Sequence, residues 1–179
     1  MIKLVFLFIS VISMVSVEAA TPIKEGFSWA KSGPGETDFL VPNGWFLKTE
    51  QHKGTYAVFI TKEDLSKVKE FQTGFSVNVI GNIVKKTGSK PSEYAQAFIS
   101  LSVKNKEVVQ KPWMFESGKI KGFGIQVKDE VKIMHYLLLA NDVTDTLFIT
   151  FFESPPSEWK EAWSIGENIL NNLKIDDEV

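Results

Sequence analysis

Two segments near the C-terminal end of the chain are apolar on both faces of any strand that they form. They read VKIMHYLLLA at 131–140 and LFITFFE at 147–153. A strand that is apolar on both faces lies inside a sheet that has packed layers on each side. Because only a short turn separates the two segments, they are expected to be antiparallel neighbours. The chain is therefore predicted to fold around a central antiparallel sheet.

Other strands are indicated by alternation and by turn residues. They are predicted at 39–41, 45–47, 55–60, 75–84 and 119–127, and another begins at Trp113 after a charged loop at 104–111. The intervening PNGW at 42–45 is interpreted as a type I turn, with proline second, asparagine third and glycine fourth. A tryptophan beside such a turn packs against a core more often than it binds a ligand.

Two helices are predicted to cover this sheet. One begins at Pro91, and the other runs from Pro155 to about Lys174 with Ser154 as its N-cap. The expected core stripes are Tyr94, Ala97, Phe98 and Leu101 in the first helix, and Trp159, Ala162, Trp163, Gly166, Ile169, Leu170 and Leu173 in the second. The predicted class is α+β, an α/β/α sandwich whose antiparallel sheet has helices on both faces.

The N-terminal residues have the pattern of a secretory signal peptide. Lys3 is followed by an apolar run at 4–17, and small residues at 17 and 19 predict cleavage after Ala19. The run is shorter than the about 20 residues of a membrane span, although an uncleaved anchor remains the alternative. We expect an exported protein, periplasmic or extracellular, with a lead-in segment at 20–36, one domain at 37–175 and an acidic tail at 176–179.

The sequence contains neither cysteine nor arginine, and each absence removes a class of functional site from consideration. The 179 residues include no cysteine, which excludes disulfides, thiol nucleophiles and thiolate metal sites. All twenty basic residues are lysine, and the formal net charge is −2. Bidentate recognition of phosphate is a property of arginine, so specific nucleic-acid binding is disfavoured.

No catalytic, cofactor or metal site is predicted. His135 lies in one of the doubly apolar strands and is interpreted as a core histidine, whereas His52 beside Glu50 lacks the further ligands that a metal site needs. Asp142 and Asp145 fall at strand ends, where turns favour them. There is no nucleophile elbow, and neither of the two histidines is left over to activate a serine.

Gly122 and Gly124 share one face of a predicted strand, without the helix that would follow in a dinucleotide-binding loop. Glycines in a strand permit close approach of a covering element. We hypothesise that the indoles of Trp159 and Trp163 lie over them.

The candidate contact surface lies in the segment 105–119. Trp113 and Phe115 are flanked there by Lys111 and Lys119, and aromatic residues with charges on a loop are typical of binding surfaces. The alternative is that Trp113 covers the core at the edge of the sheet.

The order of these elements resembles that of the PsbP family of exported and lumenal proteins, with its bacterial DcrB-type relatives. The resemblance rests on FLVPNGW, FSVNV and FFESPPSEWKEAWSIGENILNNLKI, and it extends over about 37–175. It implies a central antiparallel sheet between helices and a non-enzymatic role in assembly, stabilisation or binding beside a larger complex.

Three functions follow as hypotheses. The first is an exported non-catalytic domain that binds a partner protein or stabilises an envelope complex. The second is a carrier of a small molecule or lipid, with an aromatic-lined pocket between sheet and helices, because the chain has 14 phenylalanines and 5 tryptophans. The third is an enzyme of unrecognised type, which requires titratable groups that converge in a cleft.

Overall fold

The computed structural model describes residues 24–32, 37–52 and 54–175, so the predicted signal peptide and the acidic tail lie outside the described residues. The strands in these ranges are β1 (Phe27–Ser32), β2 (Thr37–Pro42), β3 (Phe46–His52), β4 (Thr55–Thr61), β5 (Gly74–Gly81), β6 (Glu107–Ser117), β7 (Ile120–Lys128), β8 (Ile133–Asn141) and β9 (Thr146–Ser154). The helices are α1 (Ile83–Thr87), α2 (Pro91–Ser102) and α3 (Trp159–Asn171).

Seven of these strands form one antiparallel sheet in the order β3-β4-β5-β9-β8-β7-β6, and β1 pairs separately with β2. Strand β9 is the central strand of the seven, and β8 lies beside it. These are the two strands that are apolar on both faces. Nearly every residue of β8 and β9 is buried or half-buried, since helices pack on both sides of them. The predicted α+β class with a large antiparallel sheet is confirmed.

Helix α2 packs across β7, β8 and β9 on one face of the sheet. Its buried stripe is formed by Ser92, Ala95 and Ile99, with Tyr94 and Phe98 half-buried beside it. The predicted stripe is wrong for Ala97 and Leu101, which point outward; the Leu101 residue is 72% exposed. The predicted and the observed stripe both have the three- or four-residue spacing of a helical face. Periodicity alone therefore does not show which of the two is buried.

The N-terminus of α2 is held by Asp142, from the turn between β8 and β9. Its carboxylate accepts hydrogen bonds from the Ser92 backbone N–H at 2.9 Å and from the Ser92 hydroxyl at 2.8 Å. The Lys121 ammonium donates a third bond at 3.0 Å. Burial opposes ionisation, but these bonds hold the pKa of Asp142 below its usual value. Asp145 similarly accepts the Val84 N–H of α1, so both carboxylates have structural roles.

Replacing Asp142 by alanine should lower the free energy of unfolding by about 2 kcal/mol, because three partly buried donors lose their acceptor. Urea unfolding at neutral pH measures the change. Asp64→Ala is the matched control, since the bonds of Asp64 stay within its own loop, to Ser66 and Lys67. An equal loss in both variants would contradict this role of Asp142.

Helix α3 packs on the opposite face, against β5 and β9, and also contacts β2. Its predicted stripe is confirmed: Ala162, Gly166 and Ile169 are buried, and the remaining members are half-buried. The predicted start is wrong, because α3 begins at Trp159 and its N-cap is Glu158. Ser154 is instead the buried last residue of β9. The Glu158 N–H donates to the Pro155 carbonyl at 3.0 Å, which forms a turn before the helix.

The helices do not form a complete layer over both faces. On one face, α2 makes its main contacts with β7, β8 and β9. On the same face, the side chains of Lys48, Glu50 and His52 on β3 are exposed. Beside them Phe59 of β4 is only half-buried. The expectation that helices cover the whole of both faces is therefore not confirmed, and an open groove lies over this part of the sheet.

The PNGW segment is a turn, as predicted, but it is displaced by one residue. The Trp45 N–H donates to the Pro42 carbonyl at 3.0 Å, so proline is first and Gly44 third. Gly44 has φ +81°, which a type II turn requires at its third position, so the predicted type I geometry is wrong. Trp45 is half-buried and packs in the cluster under α3, so its structural interpretation is confirmed.

Candidate functional site

The outermost strand β6 is the most apolar exposed surface of the sheet. Its eleven residues include five, 107–111, that are predicted as part of a loop, and that prediction is wrong because β6 pairs with β7 from Glu107 onward. Its exposed apolar residues are Val108 (42%), Val109 (45%), Met114 (60%) and Phe115 (41%). The opposite edge strand β3 exposes one large apolar residue, Phe46, and otherwise Lys48, Thr49, Glu50, Gln51 and His52. Both edges carry charges of the kind that hinder pairing, but β6 also exposes four large apolar side chains.

The aromatic residues of β6 cover the two glycines of β7. Trp113 lies directly across from Gly124, and Phe115 directly across from Gly122. A Cβ atom on Gly124 would lie 2.0 Å from the Trp113 indole, and one on Gly122 would lie 2.2 Å from the Phe115 ring. The hypothesis that helix tryptophans cover these glycines is wrong, because the neighbouring strand supplies the cover.

Replacing Gly124 by valine should lower the free energy of unfolding by about 2 kcal/mol, because the new side chain takes the space of the Trp113 ring. Urea unfolding followed by tryptophan fluorescence tests this expectation. Gly81→Val is the control, since no atom lies within 4 Å of a Cβ at Gly81 and its φ is not positive. A Gly124 variant as stable as the wild type would show that Trp113 is not held there.

Trp113 continues into a buried stack that includes His135. The ring centroid of His135 lies 5.3 Å from that of Trp113 and 4.3 Å from that of Trp163. The indole of Trp163 in turn stacks on that of Trp159, with 5.3 Å between the centroids. His135 is 8% exposed, and its Nδ1 has no hydrogen-bond partner within the described residues. Burial lowers the pKa of His135 to about 4, so the ring is neutral at pH 7. The interpretation of His135 as a core residue is confirmed, but the expectation that its polar atoms are satisfied there is wrong for Nδ1.

An apolar groove lies between α2 and β6 on the other face of the sheet. It has a volume of about 600 Å³ and is lined by Gln96, Ile99, Ser100, Val103, Pro112, Trp113, Met114 and Phe123. No charged side chain lines this groove in the part of the chain that the structure describes. Lys104 and Lys111 adjoin it in sequence, and both are exposed.

The structure distributes the four predicted contact residues over different surfaces. Trp113 and Phe115 direct their rings over the β7 glycines on the α3 side, and Lys119 lies in the turn after β6. Of the four, Trp113 lines the α2–β6 groove, and Lys111 adjoins that lining in sequence. Met114 and the α2 residues were not predicted from the sequence. Side chains alternate between the faces of any strand, so the predicted strand that begins at Trp113 already places Met114 opposite its two aromatic neighbours.

The open groove at the other end of the sheet is polar. It has a volume of about 400 Å³, and its lining includes Phe59, Phe71, Lys132 and Glu153. Lys132 donates to Glu153 at 2.5 Å and to the Phe71 carbonyl at 2.9 Å. Burial raises the pKa of Glu153 against the opposing effect of Lys132. These two charges therefore neutralise each other at the base of the groove.

Within the described ranges, no group of three or more histidine, aspartate or glutamate side chains is placed to hold a metal ion. His52 and Glu50 do line a shared groove of about 350 Å³ at the β3 edge, without such a third ligand. Among the same residues, no helix has both the length and the apolar character that crossing a membrane requires.

No protein-family model and no curated protein matches the sequence. The fold is similar to the solution structure of cyanobacterial PsbP (CyanoP) from Synechocystis sp. PCC 6803, with a TM-score of 0.51 and 10% sequence identity. The similarity covers 89% of this chain and 99% of that chain. At this identity the similarity concerns the fold, and it agrees with the resemblance read from the sequence. The chain therefore has a PsbP-like fold.

Proposed function

We propose that this protein is an exported, non-catalytic domain that binds a partner protein at the groove between α2 and β6. The observation that carries the proposal is the combination of an exposed apolar edge strand with an uncharged groove of about 600 Å³ beside it. Contiguous apolar surface of this kind is typical of interaction sites in soluble proteins.

A non-catalytic role is supported by the positions of the titratable groups. His135 is buried among tryptophans, Lys132 pairs with Glu153, and Asp142 caps a helix. Catalytic acids and bases need to reach a substrate in a cleft. These groups are instead occupied by structural contacts.

Export is proposed from the N-terminal sequence pattern. The resemblance to the PsbP family, whose members are exported or lumenal proteins, agrees with it. N-terminal sequencing of the mature protein tests this part, with Ala20 as the expected first residue. An intact Met1 would contradict cleavage.

A small-molecule or lipid carrier is the second candidate. The volume of the α2–β6 groove falls within the range of ligand pockets. The groove adjoins an exposed edge strand, however, which favours a protein partner. Native mass spectrometry of the protein purified from its source separates the two, because a carrier retains a bound small molecule of fixed mass.

Affinity capture with matched variants tests partner binding. We expect tagged wild-type protein to recover a stoichiometric partner from envelope extracts, and Met114→Lys to lose it, because a charge replaces the apolar side chain beside the groove. Val143→Lys is the control, since Val143 is 74% exposed on the β8–β9 turn and does not line the groove. Equal recovery by Met114→Lys and the wild type would refute the proposed site.

A further inference from the structure

We infer that the α2–β6 groove binds an extended segment of its partner that carries carboxylates and apolar side chains. The inference rests on the proposed function and adds the chemistry of the partner. It depends on the unbalanced charges around the groove and on the backbone geometry of β6.

The two glutamates of β6 already face lysines of β7. Glu116 lies directly across from Lys121. Glu107 lies directly across from Lys128, with 3.8 Å between the charged atoms. Glu107 is thereby balanced within the domain, whereas the Lys121 ammonium across from Glu116 donates to Asp142.

The lysines that flank the groove are not balanced in this way. Lys104 and Lys111 have no acidic side chain within 4 Å among the residues that the structure describes, although neighbouring Lys106 contacts Met134 and Tyr136. Lys104 directly follows the lining residue Val103, and Lys111 directly precedes Pro112. An uncharged groove whose lining is adjoined in sequence by these two exposed lysines complements an apolar segment that bears carboxylates.

The geometry of β6 selects an extended conformation for this segment. Register shifts occur between Val108 and Trp113, and Pro112 has no backbone N–H, so this part is a poor template for pairing. From Trp113 to Ser117 the register is regular and the outer edge carries no strand. A segment added along this stretch would place alternate side chains on the Met114 side, over the groove.

Two fluorescent peptides of equal length test this inference by anisotropy. Both alternate leucine with serine, and one ends in glutamates whereas the other ends in lysines. We expect the acidic peptide to bind the wild-type domain about fivefold more tightly at low salt, because two exposed ion pairs contribute about 1 kcal/mol together. The preference should decrease at high salt.

Variants locate the binding of these probes. The double variant Lys104→Glu, Lys111→Glu should reverse the preference, Met114→Lys should abolish binding of both peptides, and Val143→Lys should match the wild type. Circular dichroism confirms that each variant is folded. Equal affinity for the two peptides, binding of neither peptide, or a preference that survives the reversal would overturn the inference. The affinity capture is a separate test of the proposed function. If Met114→Lys fails to recover the partner there, the groove remains the binding site and only the preference for carboxylates is wrong.

Discussion

Replacing Phe152 by alanine is expected to lower the free energy of unfolding by about 4 kcal/mol, the usual cost of removing a fully buried phenylalanine. Phe152 is 0% exposed and lies on the middle strand β9. Its ring contacts Trp159 and Trp163 at 5.9 and 5.8 Å. A Cβ atom on Gly166 would lie 2.5 Å from that ring, so α3 packs closely on it. Urea unfolding measures the loss.

Phe151→Ala is the matched control on the opposite face of the same strand. Phe151 is half-buried and stacks on Phe71 at 6.4 Å beside the open polar groove. Its removal should cost clearly less, because water can enter the space that it leaves. An equal or larger cost at Phe151 would contradict the unequal covering of the two faces.

Acid is expected to destabilise the domain through His135. The pKa of His135 is about 4 in the folded state against 6.5 for the free side chain, so the unfolded state binds the proton first as the pH falls. At neutral pH both states are unprotonated and the histidine has no effect. Below about pH 6.5 stability decreases, and the full loss of about 3 kcal/mol is reached below the folded pKa.

Urea unfolding at about pH 7 and about pH 4.5 tests this pH dependence, and the wild type should lose about 2 kcal/mol more than His135→Leu between them. Groups common to both proteins cancel in this difference. His52→Leu, on the exposed strand β3, controls for the removal of a histidine elsewhere. Parallel pH profiles for the wild type and His135→Leu would disprove a neutral buried ring.

Strands β8 and β9 and helix α3 were predictable because their buried positions are occupied by apolar residues at the spacing of a strand or a helix. Strands β8 and β9 are apolar on both faces, and α3 repeats apolar residues at helical spacing. His135 was predictable as a core residue for the same reason. These elements have one arrangement that buries their apolar side chains.

The edge of the sheet was not predictable in the same way. Strand β6 is exposed on both faces apart from Trp113, so the alternation that indicates a half-buried strand is absent. The cover of Gly122 and Gly124 depends on the register between β6 and β7, which a single sequence does not reveal. Start positions such as that of α3 also depend on local turn bonds rather than on apolar spacing.

The candidate groove was missed because its lining comes from three elements, α2, β6 and β7, whose side chains meet only once the helix has packed on the sheet. Aromatic residues drew attention to Trp113 and Phe115, yet packing over glycine occupies both rings. Met114 lies between them on the other face, beside residues of α2. The PsbP-like fold does not supply the function of this groove, since folds of one kind serve many roles.

Site-directed photo-crosslinking in living cells tests partner binding at the groove most directly. A benzophenone side chain replaces Met114 in one variant and Val143 in another. We expect a discrete protein adduct from position 114 and none from position 143. No adduct from position 114, or equal adducts from both positions, would contradict partner binding at the α2–β6 groove.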